Sequence, residues 1–336
     1  PLYLIAKDKI GISGLQADII KISVFLLIIF TVFAHTIGDN ENSRFDTTVS
    51  IVEDHNLSIN KLHDNTGDKA FIDGNYYSDK APLASFLAVP SYLIVDIINS
   101  TQTLDNYYLD NFKRSHSSKM EWGRFAATVS VSAFAGTLIC VILYLISLKL
   151  GLEESESIVI SLFSGLGTLI FPYSTTFHGT ITGTFFLSAA LYIWIKDNFN
   201  YSYKNGLLAS LLIGLGVSGS YLIAIPGGLL LFLDVIDRLK DYKQILFLSV
   251  GLIMGLSPLL IYNYLITGNP LLPTLIFRVL PGHTSTTSLE TAGAVQADLM
   301  LRILGMIASF LRSLFSPLNG LLFYCPALIF ALHLFL

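Results

Sequence analysis

Glu41, Arg44 and Asp46 come directly after the first apolar run of the chain, with Asp39 just before them, and Tyr76-Tyr77-Ser78-Asp79-Lys80-Ala81-Pro82 closes the same polar segment. Carboxylates, an arginine and a lysine gathered just outside an apolar run point to a charged group handled at a membrane face. A carboxylate in that place can take the proton of an acceptor hydroxyl or amine as a general base. Arginine suits a phosphate, because its planar fork offers two parallel charge-assisted hydrogen bonds. Lys80 stands at the mouth of the second apolar run, where it can reach a lipid phosphate, and Tyr76 and Tyr77 suit the interface. Each feature also has a plainer reading. Glu41 to Asp46 can be a solvated loop before a surface helix capped by Asn42 or Ser43, and Lys80 a snorkelling lysine at a helix end. His178, in Pro172-Tyr-Ser-Thr-Thr-Phe-His178-Gly179, either lines a cavity or sits in a wet turn. His55 and His63 have Asp54 and Asp64 beside them but match no strong ligand spacing. They read as loop histidines, and no metal is assigned. No phosphate-binding glycine loop or nucleophile elbow is present.

The elements that must position these residues are apolar helices. Of 336 residues 53% are hydrophobic and 13% charged, against about 25% charged in soluble domains. Repeated apolar runs of roughly 17–25 residues predict an all-α polytopic membrane protein. Spans are expected at Ile19–Ile37, Pro82–Asn99, Gly123–Leu148, Ser157–Tyr173, Gly179–Ile195, Gly206–Ile236, Gln244–Ile266 and Leu321–Leu336, about eight in a single domain over 1–336. Pro82 suits the first position of its helix. The chain begins at Pro1 and stops inside an apolar run at Leu336, so further helices are expected beyond it. The first run is too long for a signal peptide and lacks a small-residue cleavage site. Cys140 and Cys325 lie in apolar runs and read as buried hydrophobes. A formal charge of −4 gives no reason to expect nucleic acid.

Gly206–Ile236 is too long for one straight crossing, and Ser218-Gly219-Ser220 and Pro226 can break it. Arg238, Lys240 and Lys243 crowd the connection that follows, which places that connection in the cytoplasm. With the N-terminus also inside, a single broken crossing puts Lys7, Lys9, Lys21, the Lys113–Lys119 segment and Arg238–Lys243 on one side. Both long loops, 38–81 and 267–320, then face outside. The first carries nine acids against four bases. Phe45, Val49 and Val52 fall at i, i+4 and i+7, which predicts a short helix lying along the membrane surface by one apolar stripe. Leu299–Phe315, with Arg302 and Arg312, reads as a second surface-lying or short embedded helix. Asp96 and Asp234 are the intramembrane charges, both near span ends. Transporters more often carry ionisable or broken-helix sites at the midplane, and the stretch 218–226 is the feature that would serve one.

Taken in order, these motifs resemble the GT-C superfamily of polytopic glycosyltransferases, in its protein-O-mannosyltransferase and aminoarabinose-transferase branch and the prokaryotic relatives of that branch. The likeness rests on the acidic-x-x-Arg-aromatic opening Glu41-Asn-Ser-Arg44-Phe45, a surface helix over Asp46–Leu57, and the closing Tyr77-Ser-Asp79-Lys80-Ala-Pro82-Leu83. Gly123-Arg124-Phe125 and Ser316-Pro317-Leu-Asn-Gly320-Leu-Leu-Phe-Tyr-Cys-Pro326 extend it over most of the chain. The resemblance implies a plasma-membrane enzyme, active on the outer face. It would pass a sugar from a polyprenyl- or dolichyl-phosphate donor to a lipid, glycan or protein acceptor. It implies Glu41 as the catalytic carboxylate, where the family more often has aspartate followed by a second acid. Because this chain has Asn42 there, Asp39 and Asp46 stay as alternative acids. Arg44 and Lys80 would hold the carrier phosphate and Asp79 would orient Lys80, with Tyr77 and His178 on the substrate side. Some branches use a divalent metal and others do without one, so none is assigned. Two other readings remain: a transporter or flippase built on the broken 206–236 helix, and a GT-C-like scaffold without catalysis.

Overall fold

The computed structural model describes residues 14–36, 38–99, 118–199, 202–239 and 241–279, with short pieces at 108–109, 114–115, 312 and 315–316. The chain divides into two units, Pro1–Pro281 and Gly282–Leu336, and the elements below belong to the first. The expected span Leu321–Leu336, the helix over Leu299–Phe315 apart from its isolated described residues, the motif after Ser316, and Cys325 lie outside the described residues.

The protein is mostly helical. Helix α1 covers Gly14–Val32 and α2 Asp39–Glu53. The hairpin β1 (Lys69–Ile72) and β2 (Asn75–Ser78) follows, then α3 (Leu83–Ile98). Helix α4 (Ser118–Ala127) passes through a π-turn at Thr128–Ala133 into α5 (Phe134–Lys149). Then come α6 (Glu154–Gly167), α7 (Ile170–Ser174), α8 (Gly179–Lys196), α9 (Tyr203–Gly219), α10 (Ala224–Asp237) and α11 (Tyr242–Thr267). Among the described residues three helices are long and apolar enough to cross a membrane: Gly14–Val32, Lys119–Lys149 and Tyr242–Thr267. Their outward residues, among them Ile28, Val32, Ile253 and Leu265, are large, apolar and exposed, as suits a lipid-facing surface.

Residue pairings give each helix its direction. Tyr144 donates to Asp18 at 3.5 Å, and Gly136 faces Phe30, so α5 runs antiparallel to α1. Ser161 on α6 donates to the Cys140 carbonyl at 2.7 Å, and Ser174 packs on Gly136, so α6 and α7 return beside α5. Gly179 and Gly183 on α8 lie against the carbonyls of Gly219 and Gly216 on α9, again antiparallel. Gly251 and Gly255 on α11 lie against the Leu207 and Leu211 carbonyls, so α9 and α11 are parallel. These close backbone approaches need glycine, since a Cβ at Gly255 would stand 2.1 Å from Leu211 O.

Two expectations are corrected. The stretch 206–236 is not one broken crossing but a helical hairpin. Helix α9 ends at Ser220, a short 3₁₀ turn occupies Tyr221–Ile223, and α10 doubles back. Gly227 then meets Ile213, and Arg238 donates to the carbonyl of Phe199, ahead of α9. Pro226, in the first turn of α10, breaks nothing, because proline costs little there. The second correction concerns Pro82–Asn99. Pro82 is the N-cap of α3, which has 16 residues. Asp96 pairs with Lys119, Tyr92 packs on Gly123 and Ser130 donates to Ser91 at 3.0 Å. Helix α3 therefore runs antiparallel to 118–130, and its first turn also meets α11, where Phe86 faces Tyr262 edge-on at 6.1 Å. It forms an upper layer with α2 and α4.

The expected span 157–173 is likewise divided, with α6 ending at Gly167 and a turn at Thr168–Leu169 before α7. The first loop carries a two-stranded sheet the sequence reading lacked. Lys69 faces Ser78 and Ile72 faces Asn75. Asp73 and Gly74, at φ 48° and 83°, form the two-residue turn that an Asp-Gly pair favours.

Candidate functional site at the upper end of the helices

Helix α2 lies at the centre of the site. It begins at Asp39 behind Gly38, so Asn42 and Ser43 are interior residues and not caps, and it ends at Glu53. The expected stripe is real. Phe45 and Val49 sit in one core with Leu62, Ala84, Ala88, Tyr92, Met120, Ala127, Val131 and Phe177, and Val52 packs against it. The Phe45 ring meets Tyr92 edge-on at 5.3 Å. The helix does not lie exposed on a surface, however. Every residue from Glu41 to Ser50 is buried, because α3, α4 and the hairpin cover the polar side as well.

The face of α2 that carries Glu41 and Arg44 looks into a buried charged cluster. Arg44 is 4% exposed. Its Nη1 donates to the Asn40 carbonyl at 3.0 Å and to the Asn40 side chain. Its Nε meets no acceptor, and the guanidinium lies against Gly179, where a Cβ would come within 2.8 Å of Nε. Burial lowers Arg44 to about 10 against the opposing pull of Asp79, Glu41 and Asp68; it stays a cation at neutral pH. Asp79 is fully buried, and burial raises its carboxyl above the usual range while Lys80 opposes the shift. Lys80 Nζ lies 3.0 Å from Asp79 and 2.8 Å from Asp68. Arg278 joins them, 3.3 Å from Asp79 and paired with Asp68. It is held by a bridge between Ala70 and Arg278 and by Val279 N donating to Lys69 O at 2.9 Å. His178 caps α8, accepting from Thr180 N at 3.3 Å. Burial, with Arg44 and Lys80 close by, pushes it down to about 3, so the imidazole is neutral.

Of the residues singled out from sequence, Glu41, Arg44, Asp79, Lys80 and His178 come together. Three do not. Asp39 is exposed at the rim, where its carboxylate faces Gly67. Asp46 is buried on the other face of α2, 3.4 Å from Asn65 Nδ2. Burial raises it to about 7 against the pull of Arg124 and Lys69. Tyr77 turns to the apolar side of the hairpin, with Ala70, Ile72, Tyr262 and Ile266.

Sequence reasoning missed Asp68 and Arg278, which no local motif marks and which meet across 210 positions. It also missed Ser43 and Ser78, whose hydroxyls share a 2.7 Å hydrogen bond that ties α2 to the strand before Lys80. Among the described residues no group of three His, Cys, Asp or Glu side chains stands ready to hold a metal ion. His63 stacks on Tyr76 at 4.2 Å and Asp54 pairs with Lys61. The helix break at Ser218–Ser220 lies beside Gly179 and Arg44, and Ser218 is spent on Gly255 O at 3.0 Å. Comparison with protein-family models, with curated proteins and with solved structures finds no match to this chain.

Proposed function

We propose that the chain is an integral-membrane glycosyltransferase of GT-C type that takes a sugar from a polyprenyl-phosphate donor at the outer face. One observation carries this reading. Arg44, Lys80 and Arg278 converge at the upper end of the apolar helices, with Glu41 on the Arg44 face of α2. A lipid-linked phosphate arrives at that level of the bilayer, and the buried Nε of Arg44 is a donor with no protein acceptor.

In the reaction, the acceptor oxygen forms a bond to the anomeric carbon while its proton passes to Glu41. The bond from that carbon to the phosphate oxygen breaks, and the electron pair leaves with the carrier phosphate. Arg44 and Lys80 stabilise the charge that develops on it, and attack opposite the leaving group inverts the anomeric centre. Asp79 fixes Lys80, and neutral His178 contributes hydrogen bonding without another charge. Glu41 is preferred over Asp46, which lies on the opposite face, and over Asp39 at the rim.

We take α1, α4–α5, α6–α7, α8, α9, α10 and α11 as seven of about eight crossings of the plasma membrane, the eighth being the span expected from the sequence over 321–336. We take the lower end as cytoplasmic, because Lys149, Lys196, Lys204, Arg238 and Lys243 stand in or beside its short turns. The upper bases Lys61, Lys80 and Lys119 lie in a longer folded segment and are taken by carboxylates. The acceptor is a lipid, glycan or protein.

The test uses the full-length protein in liposomes with radiolabelled polyprenyl-phosphate sugars and native membranes as acceptor. Glu41→Gln is expected to lower transfer by about 10²–10⁴-fold, and Lys80→Ala to weaken use of the donor. Undiminished transfer in both variants would sink the site assignment. Donor movement across the bilayer without transfer would favour a transporter.

A further inference from the structure

The opposite face of α2 borders a second recess. A groove of about 440 Å³ is lined by Ala34, His35 and Thr36 after α1, by Asn42, and by Glu121, Arg124, Phe125 and Thr128 on the long helix. That volume suits a small organic group. Asn42 is 3% exposed, and its Nδ2 donates to the Asn65 carbonyl at 2.9 Å. This bond fixes the amide, because a flipped amide would set oxygen against oxygen. Asn42 Oδ1 is left buried, and no donor of the protein reaches it. A buried acceptor without a donor costs about 1–3 kcal/mol, a cost that a ligand hydroxyl would relieve.

The rest of the lining narrows the chemistry. Glu121 and Arg124 bring one charge of each sign, so the groove favours neither an anion nor a cation. Arg124 is buried with its guanidinium 5.4 Å above the Phe45 ring, and Thr128 spends its hydroxyl proton on the Arg124 carbonyl at 2.8 Å. Phe125 supplies a partly exposed apolar face and leans edge-on to Trp122 at 5.9 Å. An apolar ring beside mixed donors and acceptors suits a neutral polyhydroxylated ring. We infer that this groove binds a saccharide unit, one of whose hydroxyls donates to Asn42 Oδ1. The assignment of that saccharide as the acceptor in transfer rests on the reading above; its binding does not. The first turn of α2 would then separate two sites, a carrier phosphate on the Arg44 face and a neutral sugar on the Asn42 face, with Glu41 next to Asn42.

Binding is measured without turnover, on the full-length protein in nanodiscs, by saturation-transfer NMR and Trp122 fluorescence. The probes are methyl glycosides of glucose, galactose and mannose, their disaccharides and their single-position deoxy analogues. At least one glycoside should bind, and one deoxy analogue should bind about fivefold to tenfold more weakly, as expected for one lost neutral hydrogen bond. In Asn42→Ala that penalty should vanish, since the deleted hydroxyl no longer has its partner. Phe125→Ala, at the rim, should weaken every glycoside, and polyprenyl-phosphate binding should be unchanged in both variants. The inference is overturned if no glycoside binds, if Asn42→Ala keeps the deoxy penalty, or if polyprenyl phosphate is the ligand lost. Loss of transfer in Glu41→Gln with glycoside binding intact leaves the inference standing, so the two readings fail separately.

Discussion

Helices α1 and α2 are neighbours in the chain and invert one another. Helix α1 is almost wholly apolar, yet five of its nineteen residues are buried. Helix α2 is largely polar, and ten of its fifteen are buried. In water that ordering would be unstable, because polar groups are buried only where they are bonded or paired. Beside a bilayer it is reasonable: lipid accepts Ile28 and Val32 of α1, while α2 must find partners inside the protein. It finds most of them, through Asn40 with Arg44, Ser43 with Ser78, Asn42 with Asn65, and Thr48 with Ser85 O at 3.0 Å. What α2 leaves over, Arg44 Nε, Asn42 Oδ1 and Asp46 Oδ2, marks the positions where chemistry is to be sought.

The contrast can be broken most forcefully at the charged cluster. Asp79→Ala removes a fully buried partner of Lys80 and Arg278 and should cost about 3–5 kcal/mol. Ile28→Val on the exposed face of α1 should stay within about 0.5 kcal/mol. Unfolding of both variants in detergent is the measurement, and similar losses would show that the charged cluster facing α2 gains nothing from its pairing.

A smaller effect is expected at Gly179. Its added methyl would stand 2.3 Å from Gly219 O, which is backbone, and 2.8 Å from Arg44 Nε. Gly179→Ala should destabilise by about 1–3 kcal/mol and should weaken polyprenyl-phosphate binding further than that loss explains. Binding equal to wild type would detach Arg44 from the carrier site.

A third test concerns Asp46, whose carboxyl is raised to about 7 by burial. An unfolded aspartate titrates near 3.9, so between about pH 4 and 7 the folded chain holds a proton that the unfolded chain has lost. The stability this contributes is full at pH 4 and disappears as pH rises through 7. Asp46→Asn should flatten that decline between pH 5 and 8 in thermal scans, and an unchanged slope would remove Asp46 from the account.

Helical, membrane-type character was legible from apolar runs alone, because hydrocarbon demands long uninterrupted stretches of such residues. Two departures compensated one another. Reading Pro82–Asn99 as a crossing and Gly206–Ile236 as a single one still left 238–243 at the same end as the N-terminal start of α1. Length and composition cannot separate a crossing from a helix of 16 residues stacked on a neighbour. The fate of Lys119, buried between Glu53 at 2.8 Å and Asp96, is a tertiary matter. So too at the site: Glu41, Arg44, Asp79 and Lys80 could be picked out because each motif is local. Arg278 and Asp68 could not, since their meeting depends on a loop returning to the edge of β1. Tyr77 went astray because alternation along β2 turns it to the apolar side.

The π-turn at Thr128–Ala133 lets one continuous helix serve two sets of neighbours. Above it Met120, Gly123 and Arg124 pack on Phe45 and Tyr92; below it Gly136 and Cys140 pack on Phe30 and Leu26. Removing one residue from the joint would swing the upper set by about 100° about the axis relative to the lower, taking Arg124 off Phe45 and Gly123 off Tyr92. The joint therefore acts as a fixed-phase coupling between the two layers, and a change in its length would disturb both at once where most single substitutions would disturb one.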